Sequence, residues 1–216
     1  PDFERRVAVG EAVLHPQYRA YTVPLLLVVF ESCDLTVGRW VRQAPYLPRC
    51  GAPAGTPHSA RLAALPPREQ FAAVELFRGT MLRHSLIAYR DDRPGDRQPL
   101  RFDDDRWHDY VPICLPETIS VQRRLPPGAI AVLINQAHTD PDLYLAITAQ
   151  EKRWHEAING DRTIGDIMHS TTTSDGRQRH RERAKAFFER LWWYDQVVFD
   201  TSKPIDSQES INNDHP

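Results

Sequence analysis

"EKRWHEAINGDRTIGDI", residues 151–167, breaks a helical pattern at Asn159-Gly160 and restarts it within three residues. One continuous helix would hold more backbone hydrogen bonds, so a break this firm predicts two short helices set at an angle. Before the break, Trp154, Ala157 and Ile158 fall on one helix face. Asn159-Gly160 suits the left-handed backbone that stops a helix. After it, Thr163 is placed to cap the next helix, with Asp166 three positions on in a variant of the capping box. Ile164, Ile167 and Met168 then make a second apolar stripe. Both stripes need one core, and the corner turns them toward it.

The flanks complete the unit. Upstream, "AIAVLINQ" and "DLYLAIT" predict two short strands joined as a hairpin by "AHTDP". Downstream, Ala184, Phe187, Phe188, Leu191 and Trp192 recur at helical spacing, and "VVFD" (197–200) predicts a closing strand. Hairpin, three helices and strand over 129–203 are the order of a small winged-helix-like domain.

The rest divides by composition. Residues 1–92 alternate helix and strand signals. Thr22 is a candidate N-cap before "VPLLLVVFES", and Leu25–Phe30 are expected to be buried on most sides. "LTVGRWV" and "HSLIAYRD" predict strands, and "PREQFAAVELFRGTMLRHS" a helix with apolar Phe71, Val74, Leu76 and Phe77. Between the first of these strands and that helix, Pro and Gly cluster and regular structure should be scarce. Residues 93–128, polar and Pro-rich, predict a connector lying on the surface of its neighbours, with a short strand at 117–123. Residues 204–216 have almost no apolar anchors and predict a disordered tail. The fold class is α+β.

Composition narrows the function. A net charge of −2 over 216 residues supplies no field to draw the chain to nucleic acid. The longest apolar run, residues 23–30, is far too short to span a bilayer. Cys33, Cys50 and Cys114 lie far apart with no CxxC pair, which fits buried reduced thiols in a cytoplasmic protein. The chain opens on Pro1 with a charged lead, and a fragment or processed chain is expected from that opening.

"LHPQYRAYTVP", "GRWVRQAPYLPRCG" and "AVELFRGTMLRHSLIAYRDD", across residues 14–92, resemble the stretch that follows the cofactor-binding core in one group of class I S-adenosylmethionine-dependent methyltransferases. The resemblance implies the late helix and two late strands of a Rossmann-like sheet. It also implies an acceptor pocket shaped by Arg39, Trp40, Arg42 and Tyr46. The Gly-rich turn that holds the methyltransferase cofactor has no counterpart, since no GxG occurs in the chain. S-adenosylmethionine is therefore expected only with an upstream core, and no cofactor- or catalytic residue is assigned here. Residues 129–203 resemble PqqD-like peptide-recognition domains through the corner "INGDRTIGDI". That resemblance implies a peptide partner bound by strand addition to the hairpin. Similar corners also occur in auxiliary domains appended to methyltransferases.

The expected function is the non-catalytic, acceptor- or partner-recognising C-terminal region of such a methyltransferase, with a peptide or protein acceptor. The alternative is a stand-alone peptide-binding winged helix; DNA binding is the weaker third. Trp193, Tyr194 and Arg181 are the candidate partner-binding residues. For Trp193 and Tyr194 the competing role is packing against the first zone. For the basic run "RQRHRERAK" (177–185) it is a solvated helix start. "DDDRWHDY" (103–110) gathers Asp103, Asp104, Asp105, His108 and Asp109 without an EF-hand pattern. "HTDPD" (138–142) could place His138, Asp140 and Asp142 on one metal but sits where a hairpin turn is expected; both read as turns. The exposed edges of an incomplete sheet predict a homodimer.

Overall fold

The computed structural model describes residues 20–92, 100–171 and 177–202. The expected tail at 204–216 lies outside them, as do the charged lead, part of the connector (93–99) and the link at 172–176. Among the described residues the chain is mixed α+β, with six α-helices and three small antiparallel sheets. None of these helices is long and apolar enough to cross a membrane.

In the N-terminal unit, α1 (Val23–Ser32) starts on Thr22, whose hydroxyl accepts from the Leu25 N–H at 3.5 Å. It leads into β1 (Leu35–Trp40). The Pro- and Gly-rich stretch that follows holds only 3₁₀ turns and the five-residue α2 (Ser59–Ala63). Next come α3 (Pro67–Arg78), ended by left-handed Gly79, and β2 (Leu86–Arg90). β1 and β2 pair antiparallel, Thr36 against Tyr89 and Trp40 against Leu86. Val23, Leu27, Trp40 and Tyr46 form their shared core. The apolar run in α1 is less buried than its composition predicts: Leu27 is inside, and Val28 is 57% exposed. A two-stranded sheet covers only one side of the helix. α3 shows the same economy, with Val74 buried and Leu76 83% exposed. Gln70 goes inward instead, its amide donating to the carbonyls of Ala63 and Leu65.

In the C-terminal unit, β3 (Val111–Cys114) pairs antiparallel with β7 (Val197–Asp200). β4 (Thr118–Val121), β5 (Ala131–Asn135) and β6 (Tyr144–Ile147) form one antiparallel sheet in that order, so the expected hairpin is β5–β6. α4 (Ala149–Glu156) begins with a Thr148–Glu151 capping box. α5 (Ile164–Ser170) has the predicted Thr163–Asp166 box, and Gly160 holds φ 85° in the corner between them. The side chain of Asn159 closes that corner by accepting from the N–H groups of Asp161 and Arg162. α6 (Arg177–Trp193) buries Ala184, Phe187, Phe188 and Leu191 completely, against Trp154, Ile164, Ile167 and the inner faces of β5 and β6.

Two expectations change here. The stretch expected to lie on the surface contributes Phe102, Trp107 and Tyr110 to this core. A 3₁₀ turn at Asp105–Asp109 points Trp107 inward among outward carboxylates, and the Tyr110 carbonyl accepts from the Ile164 N–H at 2.9 Å. Trp192, expected in the apolar stripe, is only half-buried and packs on Phe199 and Arg39.

Candidate functional site

The two units meet along a seam of buried charge, and the seam shapes the site. At the end of α6 the backbone turns left-handed at Asp195 (φ 51°), a conformation that Asp tolerates better than most residues. The turn buries the Asp195 carboxylate to 2% exposure. Its Oδ2 accepts from the Ala44 N–H at 2.8 Å and meets His138 Nε2 at 3.2 Å; Oδ1 lies 3.6 Å from Arg39. Arg39 in turn lies 4.0 Å over the Trp192 ring. Burial lowers the Arg39 pKa, and Asp195 opposes that shift.

A second cluster ties the hairpin turn to the N-terminal unit. Arg78, with a side chain only 4% exposed, reaches Asp140 at 3.3 Å and Asp142 at 3.1 Å. It also donates to the Pro45 carbonyl. Burial alone would raise the Asp142 carboxyl, but the Ala52 N–H and Arg78 outweigh it and hold the carboxyl below its ordinary value. The approach depends on Gly51: at φ 65°, an added Cβ would sit 2.2 Å from the Asp142 carboxylate.

Where these clusters end, the seam opens into a groove of about 590 Å³, within the range of small-ligand sites. Its walls come from the β1 exit (Val41, Arg42, Pro45, Tyr46), the α3–β2 loop (Thr80–Arg83) and the hairpin turn (His138–Pro141). Of the four residues expected to shape an acceptor pocket, Arg42 and Tyr46 line it. Arg39 and Trp40 lie behind. Trp40 is 2% exposed and stacks on Tyr46 with centroids 4.0 Å apart. The Tyr46 hydroxyl meets His84 Nδ1 at 2.8 Å, and His84 Nε2 meets Glu75 at 3.3 Å. Burial, helped by the Glu75 charge, pushes the Tyr46 phenol up to about 12, so it stays neutral and able to donate.

The three candidate partner-binding residues do not form one surface. Trp193 lies under Arg49 at 4.2 Å, and the Tyr194 hydroxyl accepts from the Gly51 N–H. Both therefore pack against the first zone of the same chain. Arg181 is three turns earlier on α6, roughly 18 Å along the axis, paired with Asp105. That contact takes up one of the basic residues considered for phosphate binding. The carboxylates considered for metals are also engaged: Asp104 with Arg106, Asp140 and Asp142 with Arg78. Among the described residues no group of three His, Cys, Asp or Glu is placed to hold a metal ion.

A methyltransferase cofactor needs a Gly-rich strand-to-helix turn. Among the described residues only α4 directly follows a strand, and it does so through Thr148. The described residues offer no such Gly-rich turn, and no chemistry is assigned through that cofactor. On the other sheet, the Arg190 guanidinium donates to the Ala146 carbonyl of β6, engaging part of that strand's outer edge. No protein-family model matches the chain.

His138, Asp195, Arg78 and the Glu75–His84 pair were not read as a site from the sequence. "WWYDQ" held one usable signal, an Asp two residues past the end of a helix, where left-handed turns occur.

Proposed function

We propose that this chain is the non-catalytic, acceptor-recognising C-terminal region of a S-adenosylmethionine-dependent methyltransferase. The observation that carries this reading is the open face of the N-terminal unit. Among the described residues its sheet has two strands, too few for independent stability, with Ile87 and Tyr89 exposed on the sheet and Val28 and Leu76 exposed on its helices. Such a surface suits the late strands of a larger Rossmann-like sheet, with the C-terminal unit as an appended winged-helix, PqqD-like domain. The groove would then receive the acceptor beside that sheet, with Arg42 and Tyr46 in its wall.

The test is calorimetric titration of S-adenosylmethionine and S-adenosylhomocysteine into this chain and, in parallel, into the product of its complete natural reading frame. No heat from the chain and micromolar binding by the full product are expected. Binding by the chain alone, or a full product with no cofactor affinity, would overturn the reading. In the second case a stand-alone peptide-binding winged helix becomes the better account. It is supported by the outer edge of β4, which meets no other strand among the described residues.

A further inference from the structure

We infer that the seam groove binds a small amphipathic anion: an acidic group held by Arg42 and Arg83, with an apolar body laid over Pro45, Met81 and Leu82. The inference rests on the reading of this groove as an acceptor site and names the chemical class of what enters it.

Charge decides the class. Arg42 and Arg83 both line the groove and are exposed, and among the described residues neither guanidinium has a carboxylate partner. The other seam arginines are engaged, Arg39 by Asp195 and Arg78 by Asp140 and Asp142. Asp140, the one acidic residue in the lining, is the residue Arg78 neutralises. Among the described residues, the groove therefore carries two guanidiniums with no carboxylate paired to them, in a chain whose net charge is −2. Val41 N–H donates to the Ser85 carbonyl at 2.9 Å, so the β1–β2 pairing continues one step past its last pair, and Arg42 and Arg83 follow at the ends of the two segments, both in the groove lining.

The apolar body follows from the remaining lining. Leu82 is 98% exposed at the groove, Val41 52% exposed, and Met81 and Pro45 lie beside them. An ion without an apolar body would leave these surfaces in water; covering them adds affinity. The inner wall is polar and pre-set. Tyr46 is fixed by Trp40 and His84, and the His138 side chain is 2% exposed and oriented by Asp195, with no partner for its Nδ1 among the described residues. A shaped polar wall, an apolar rim and unpaired guanidiniums fit one small ligand better than a solvated surface.

Calorimetry on the full chain tests this with four probes sharing one ring system: 2-naphthoate, 2-naphthyl phosphate, 2-naphthylmethanol and 2-naphthylmethylamine. At least one of the two acids should bind saturably, tenfold or more tighter than the alcohol and the amine. Whether carboxylate or phosphate binds better tells which acidic group the guanidiniums suit. R42E/R83E should weaken acid binding at least tenfold and leave the melting temperature unchanged, because both side chains are exposed. If that variant melts early, R42Q/R83Q makes the same test without charge reversal. Equal binding of the amine and the acids, no saturable binding of either acid, or unaltered acid binding in the folded variant would overturn the inference. None of these measurements involves S-adenosylmethionine, so failure here is distinguishable from failure of the methyltransferase reading.

Discussion

Among the described residues, the C-terminal unit gathers fifteen buried apolar side chains into one cluster, and the N-terminal unit gathers four. The larger cluster draws on two sheets, three helices and the 3₁₀ turn at Trp107. The smaller one has a single two-stranded sheet, and the helices above it present Val28, Leu76 and Phe77 outward. Burial of each large apolar side chain is worth about 1.5–3 kcal/mol, so the first cluster holds its unit together and the second falls short alone. Its stability has to come from neighbours, the buried ion clusters at the seam among them.

The strongest way to break this comparison is to truncate one large apolar side chain in each unit. Phe188→Ala should cost about 3–5 kcal/mol, read as a drop in the urea midpoint, because Phe188 is fully buried against Phe187. Leu76→Ala, at an exposed site, should stay within about 0.5 kcal/mol. Similar losses in the two variants would mean that burial does not distinguish the units.

Arg78→Met addresses the seam. It leaves Asp140, Asp142 and the Pro45 carbonyl without their shared donor. Removing one partner of a buried ion pair typically costs about 3–5 kcal/mol; Asp142 keeps the Ala52 N–H and part of its solvent, so about 3 is expected. The N-terminal unit should then melt first, splitting one unfolding transition into two. A single, equally sharp transition would show that the small unit does not depend on this cluster.

The same cluster sets a pH dependence. The folded Asp142 carboxyl is held below its unfolded value of about 3.9. Its contribution is therefore fully present above about pH 4 and lost as pH falls through the folded value. Urea melts from pH 7 down to 2.5 should show a steeper acid loss in the wild type than in Asp142→Asn. Parallel curves would remove Asp142 from the account.

The smallest effects compare one cap in each unit. Thr163 and Asp166 exchange bonds of 3.1 and 3.0 Å, whereas Thr22 makes a single bond at 3.5 Å. Thr163→Ala should cost about 1 kcal/mol and Thr22→Ala about 0.5 kcal/mol, measured by thermal melts. A larger loss at Thr22 would reverse the expected order of the two units.

How much of this could be read from the chain follows the range of each interaction. The α4–α5 corner was legible because its parts lie within a few residues: Asn159-Gly160 as a stop, Thr163 and Asp166 as a cap, and two stripes at helical spacing. The β5–β6 hairpin and the α6 stripe were legible for the same reason. Of the four residues named through the resemblance, Arg42 and Tyr46 line the groove, and Arg39 and Trp40 lie behind it. Trp107 escaped because four aspartates lie within four positions of it and hide one buried indole in a polar run. Leu25–Phe30 misled because an apolar run states a preference for burial, while the number of strands beneath it sets how much is available.

The seam belongs to the tertiary structure alone. Asp195 meets Ala44 across 151 positions, and Arg78 meets Asp142 across 64. No periodicity or local spacing marks such pairs, since a charge in the sequence looks the same whether solvated or buried. Helices, caps, strands and class were determined locally by propensity and pattern. Which charges are neutralised, which remain free and where the groove opens depended on long-range packing, because burial and pairing exist only once distant segments meet.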